Sequence, residues 1–222
     1  MNVLVIAPHP DDETLGCGGT LLKHKSAGDS LTWVIVTRGH EPHWSKEVLD
    51  RKECEIKEVG SAYGFDRVMR LDFPTVRMET IPFEEIMNQL GRALEQSSPE
   101  CVYLNHAGDV HTDHRTIFDA AMSVLKPFNG GKHGVKRVLS YETLSSTEAM
   151  PAVLGRGFLP NVFSDISCHI ENKLDIMARY TSEIQPYPLP RSLESIKALA
   201  RVRGATIGVE YAEAFMLVRE VN

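Results

Sequence analysis

The sequence predicts an α/β fold, a mostly parallel sheet with helices on both faces. Three observations predict it. Short apolar runs recur along the chain, as strands buried on both faces require. Segments of helical periodicity separate them, giving each strand room to cross over and pair in parallel with the next. No internal repeat, linker or low-complexity tract divides the 222 residues, so residues 1–222 read as a single domain.

The elements follow in order. Strand-like runs lie at 2–6, 31–37 (LTWVIVT), 67–71 (RVMRL), 100–105 (ECVYLN) and 135–141 (VKRVLSY). Helical stretches fill the gaps at 15–27, 45–62, 83–97 and 114–126. The third has the clearest face, with Phe83, Ile86, Met87, Leu90 and Leu94 at helical spacing. Beyond residue 142 the pattern loosens into an irregular C-terminal extension. A short strand near 161–166 and helices near 169–182 and 192–204 precede a closing strand, AFMLVRE, at 214–220. The prolines of QPYPLPRS, at 186, 188 and 190, demand an extended loop between those helices.

Composition narrows the function classes. A net charge of −6 with no run of Lys or Arg argues against nucleic acid as a partner. No apolar stretch reaches the ~20 residues of a membrane span. The first strand begins by residue 3, so no signal peptide is expected. Cys17, Cys54, Cys101 and Cys168 form no CxxC pair and fit a reducing compartment, so a cytoplasmic location is expected.

Chemistry concentrates in two clusters. VLVIAPHPDDETLGCGG places His9, Asp11, Asp12 and Glu13 directly after the first strand, where a turn needs one Asp or Gly. His111-Thr112-Asp113-His114-Arg115 follows the fourth strand. In a sheet of order 3-2-1-4-5 those strands are neighbours at the switch point, and ligands bind beyond their carboxyl ends. Both clusters then converge on one crevice. Two imidazoles and a carboxylate suit a catalytic zinc ion, and a second carboxylate can take a proton from the attacking water. Taken singly, Asp11, Asp12 or Asp113 can cap a helix, and either histidine of the second cluster can be an ordinary surface or core residue. The conjunction favours a metal.

PHPDDE, LGCGGTLL and HTDH, with DRKECEIKEVGSAYGF and YAEAF at 211–215, resemble the LmbE-like, or PIG-L, family of zinc-dependent N-acetyl-sugar deacetylases. The resemblance covers most of the chain. It implies a Rossmann-like fold, a zinc cofactor and a small-molecule substrate, an N-acetylated glucosamine derivative or related amide. It implies that His9, Asp12 and His114 hold the metal and that Asp11 is the general base. His111, protonated and oriented by Asp113, would stabilise the oxyanion, and Arg51 would lie near the substrate. Thr112 stands where many relatives have Pro, and Tyr180–Glu183 (YTSE) where a segment often reads His-x-Ser-Gln. Neither departure touches the expected ligands.

Three further residues are candidates for substrate contact. Arg191, beside the Pro-rich loop, could meet a phosphate or carboxylate, and His43 and His106 follow the second and fourth strands. Rival readings are a zinc amidase acting on another amide such as a thiol conjugate, a nucleotide-binding module using GCGG, and a non-catalytic metal protein. The glycines at 16, 18 and 19 miss the G-x-G-x-x-G spacing. The donor set also accepts Fe(II), Co(II) or Ni(II). Assembly into a homo-oligomer is left open.

Overall fold

The computed structural model describes residues 1–126, 128, 134–151 and 157–222. Among these residues seven strands form one sheet: β1 (Asn2–Ala7), β2 (Ser30–Arg38), β3 (Arg67–Pro74), β4 (Cys101–Asn105), β5 (Arg137–Tyr141), β6 (Val162–Asp165) and β7 (Ala212–Glu220). Their order is β3-β2-β1-β4-β5-β7-β6, with β1 to β5 parallel and β7 antiparallel to both neighbours. The expected 3-2-1-4-5 core is present. The C-terminal extension adds its two strands to the β5 edge.

Among the described residues, six α-helices cover the faces: α1 (Asp12–Ser26), α2 (Lys46–Tyr63), α3 (Phe83–Ser97), α4 (Thr112–Val124), α5 (Ile170–Met177) and α6 (Leu193–Ile207). Alternation along β1 explains why there are two cores. Val3, Val5 and Ala7 face α1, α2, α5 and α6, whereas Leu4 and Ile6 face α3 and α4. Of the face expected for α3, Phe83 is 42% exposed, and Ile86, Leu90, Ala93 and Leu94 make the buried stripe. No helix among the described residues is long and apolar enough to cross a membrane.

GCGG lies inside α1, at a kink where Cys17 is non-helical (φ −141°, ψ 18°), and its glycines serve packing. A Cβ at Gly16 would lie 2.1 Å from Tyr141 Cδ2, and one at Gly18 would lie 2.4 Å from the Tyr63 hydroxyl. The Gly19 and Thr20 N–H groups donate to the Glu213 carboxylate at 2.8 and 2.7 Å. The amides that a phosphate would need are therefore already occupied by a buried side chain, which argues against the nucleotide-binding reading.

Two expectations for the C-terminal extension change. The helix expected at 169–182 ends at Met177, because the chain turns inward and buries Tyr180. QPYPLPRS is non-helical, as its prolines require, but it folds back instead of extending. The Gln185 N–H donates to the Arg191 carbonyl at 3.2 Å, and the Arg191 N–H donates to Gln185 Oε1 at 3.3 Å.

Candidate active site

Beyond the carboxyl ends of β1 and β4 lies a cavity of about 350 Å³, lined by His9, Asp11, Asp12, His111 and His114 among others. Both motif loops reach it because their strands are adjacent.

The β1 loop is tightly constrained. Asp11 has φ 114° and ψ −28°, a left-handed conformation that costs a non-glycine residue about 1–3 kcal/mol. Glu13 holds it there. The Glu13 carboxylate accepts the Asp11 N–H at 3.2 Å and the Tyr180 and Thr14 hydroxyls, each at 2.6 Å. Burial pushes Glu13 up to about 7, although those hydrogen bonds pull the other way.

Three donor atoms converge. His9 Nδ1, His114 Nε2 and Asp12 Oδ2 lie 3.2 Å from one another on all three edges. Tetrahedral ligands at zinc distances stand about 3.3 Å apart, so this triangle fits one face of such a site. A wider set of ring nitrogens, from His9, His111 and His114, lies within 4.8 Å and could also hold an ion. The four donor residues come from the two loops only. Behind them stand carboxylates, as behind most metal-binding histidines. His9 Nε2 is 3.1 Å from Asp113 Oδ2, and His114 Nδ1 is 2.7 Å from Asp109 Oδ2. Asp109 is itself tied to the Thr147 hydroxyl at 2.6 Å.

Electrostatics separate the neighbouring aspartates. Burial works against the Asp12 charge, but His114 and His9 beside it hold its carboxyl well below the usual range. Asp11 is pushed well above that range by burial, then by Asp12 and Glu183, against the pull of Arg191. Burial and the neighbouring His9 and His114 lower His111 to about 4.

The structure corrects the expected role of Asp113. Its Oδ2 lies 4.0 Å from His111 Nδ1, beyond hydrogen-bond reach, and accepts from the Val76 N–H and Thr75 hydroxyl as well as meeting His9. His111 is oriented instead as the N-cap of α4, its Nδ1 accepting the Asp113 N–H at 3.2 Å. A ring whose Nδ1 accepts is neutral with its proton on Nε2, so the protonated His111 expected from sequence gives way to a neutral donor.

The remaining candidates scatter. Arg51 is exposed and does not line the cavity; Lys52 and Glu53, the next residues of α2, do. His43 is exposed outside the cavity lining, with Arg77 Nη2 2.8 Å from its Nε2. His106 is buried with its ring edge-on to Phe158. Arg191 does line the cavity, yet its partners are acidic side chains of the chain itself: Asp11 and Glu183. Sequence reasoning misses Lys52, Asp109 and Glu183, although YTSE marks Glu183 as a departure from the family pattern and Asp109 sits five positions before a candidate ligand. It also misses Glu55, whose carboxylate accepts from the Thr181 and Ser182 hydroxyls at 2.6 and 2.7 Å and so fixes the segment carrying Glu183.

Residues 4–125, more than half of the chain, match the PIG-L family, described as GlcNAc-PI de-N-acetylase. A probable N-acetyl-alpha-D-glucosaminyl L-malate deacetylase 2 from Bacillus anthracis is 24% identical over 194 residues, covering 82% of this chain and 81% of that protein. Diacetylchitobiose deacetylase from Thermococcus kodakarensis is 26% identical over 239 aligned residues, covering 97% and 82%. The crystal structure of a conserved protein from Thermus thermophilus superposes with a TM-score of 0.79 at 29% identity, covering 100% of this chain and 96% of that one. The matched segment runs through both the β1 and the β4 loops, so the likeness of their motifs is membership: the chain belongs to the PIG-L family.

Proposed function

We propose that the protein is a divalent-metal-dependent hydrolase, with zinc the expected ion, that removes the acetyl group from an N-acetylated amino sugar or its conjugate. The observation that carries this reading is the closed 3.2 Å triangle of His9 Nδ1, Asp12 Oδ2 and His114 Nε2, with Asp11 beside it. The family's deacetylase relatives support the substrate class.

His9, Asp12 and His114 hold the ion, and Asp113 and Asp109 orient the two imidazoles. The bound ion supplies Lewis acidity to the amide carbonyl and acidity to the water. Asp11 accepts the proton of the attacking water as its oxygen bonds to the carbonyl carbon. A carboxylate raised above its ordinary range by burial is the stronger acceptor. The His111 Nε2–H donates to the oxyanion of the tetrahedral adduct, a preorganised dipole where charge develops. Asp11 then returns its proton to the amine nitrogen as the C–N bond breaks, releasing acetate and the free amine.

The test is acetate release from a panel of N-acetylated amino sugars, free and conjugated, by metal-loaded protein, metal-stripped protein and Asp11→Asn. Release that requires both the ion and Asp11 is expected. Stoichiometric metal without acetate release would move the reaction to another amide, such as a thiol conjugate. Protein that takes up no metal would overturn the reading.

A further inference from the structure

Arg191 meets Asp11 from 180 positions away in the sequence. Its Nη1 donates to two carboxylates, Asp11 Oδ2 at 3.2 Å and Glu183 Oε2 at 2.8 Å. Glu183 pairs through its other oxygen with Lys52 of α2. The signs therefore alternate along one line of contacts, from Lys52 through Glu183 and Arg191 to Asp11. The line ends on a carboxylate that is 4% exposed, while the other three side chains are 17–26% exposed.

The backbone that carries Arg191 is fixed on both sides. On one side is the closed Gln185–Arg191 loop. On the other, fully buried Ser192 caps α6 by accepting the Ser195 N–H at 3.1 Å. The backbone therefore presents the Arg191 side chain to the cavity from a fixed position. Among the described residues, no other side chain hydrogen-bonds the Asp11 carboxylate. At Nη1 an anionic substrate group would have to displace two carboxylates, and Arg191 Nε is buried away from solvent. Both observations argue against the substrate contact expected for this residue.

We propose that Arg191 is a positioning residue. It ties off Oδ2 of Asp11, fixes the rotation of that carboxylate, and leaves Oδ1 to take the proton from water; Glu183 and Lys52 hold the guanidinium in place. The proposal rests on Asp11 being the general base. Glu13 holds the Asp11 backbone and Arg191 holds its side chain, so the two ends of one residue are set independently.

The test uses the full, metal-loaded chain with the best substrate of the acetate-release panel. Arg191→Ala should lower kcat by about 100-fold, the scale of a catalytic group displaced by about 1 Å, with KM and metal content unchanged. Added guanidinium should restore part of that loss, and none of it in the Asp11→Asn, Arg191→Ala double variant. Arg191→Lys and Glu183→Gln should show the same kcat-selective loss in milder form, and they carry the test if Arg191→Ala does not fold. A raised KM with unchanged kcat would make Arg191 a substrate contact and overturn the proposal, as would wild-type kinetics. If wild-type protein releases no acetate, the functional reading fails separately. The contact is then read from thermal unfolding of Asp11→Asn, Arg191→Gln and the double variant. Non-additive Tm shifts are expected, and additive shifts would overturn it.

Discussion

Asp113 and His9 lie 104 positions apart, and Oδ2 of one is 3.1 Å from Nε2 of the other. The contact joins the two motif loops directly behind the metal triangle. In the proposed site it would fix which nitrogen of His9 faces the ion, because a proton on Nε2 points at Asp113 and leaves Nδ1 its lone pair.

Asp113→Ala should therefore weaken metal binding by about 10- to 100-fold, the usual cost of losing the carboxylate behind a ligating histidine. Competition against a chelator of known affinity measures it. Wild-type affinity in Asp113→Ala would mean that His9 is oriented by something else. The substitution also strips a partner from the Val76 N–H, so Asp113→Asn, which keeps an acceptor there, should fold better and bind metal at an intermediate strength.

Asp11→Asn should retain metal and lose about 10²- to 10⁴-fold in turnover, the range of a general base. Asp11→Gly tests the backbone separately. At φ 114° glycine relieves the strain, so this variant should be more stable than Asp11→Ala by about 1–3 kcal/mol while being equally inactive. Urea unfolding of the two proteins decides it, and equal stability would show that the turn stores no strain.

Ion binding should release a proton. In the metal-free chain, burial works to lower His114, but Asp12 and Asp109 outweigh it and hold the imidazole up to about 10. Below that value the ring carries a proton that the ion must displace, since only neutral imidazole ligates. Affinity should then fall by up to about tenfold for each unit that pH drops below neutrality. Calorimetry in two buffers of different ionisation enthalpy counts the protons released, and a heat independent of buffer would contradict the assignment of His114.

The legible parts of the site are those that sit against strand ends. His9 and Asp12 follow β1 by two and five residues and His114 follows β4 by nine, in the first turn of α4, so strand order brings the two groups together. The same reading fails for α2, because adjacent helix positions point about 100° apart. A motif that straddles Arg51 and Lys52 does not say which of them faces inward, and it is Lys52. Glu183 is harder still. It stands in a turn that exists because α5 stops at Met177 and Tyr180 turns in to meet Glu13, and neither event has a local sequence signal. The role of Asp113 is hidden for a related reason. Spacing shows that His111 and Asp113 are close in the chain, whereas the backbone N–H of Asp113 takes the ring and its carboxylate turns to the other loop.

The last prediction concerns what holds α1 against α5 and β7. Lys173 and Glu213 form an ion pair at 2.7 Å with side chains 3% and 4% exposed. Glu213 also accepts from the Gly19 and Thr20 N–H groups and the Thr20 hydroxyl, and Lys173 Nζ donates to the Leu15 carbonyl at 3.0 Å. Every charge there is hydrogen-bonded, so removing one partner leaves an uncompensated buried ion. Lys173→Met should cost about 3–5 kcal/mol, and Lys173→Met with Glu213→Gln should cost less than the sum of the two single changes. Urea unfolding measures both. Because these contacts brace α1 at Leu15, Gly19 and Thr20 and touch none of the expected ligands, partly destabilised variants that still fold should bind metal at wild-type stoichiometry. A loss of metal in folded Lys173→Met protein would show instead that the pair reaches the site through α1.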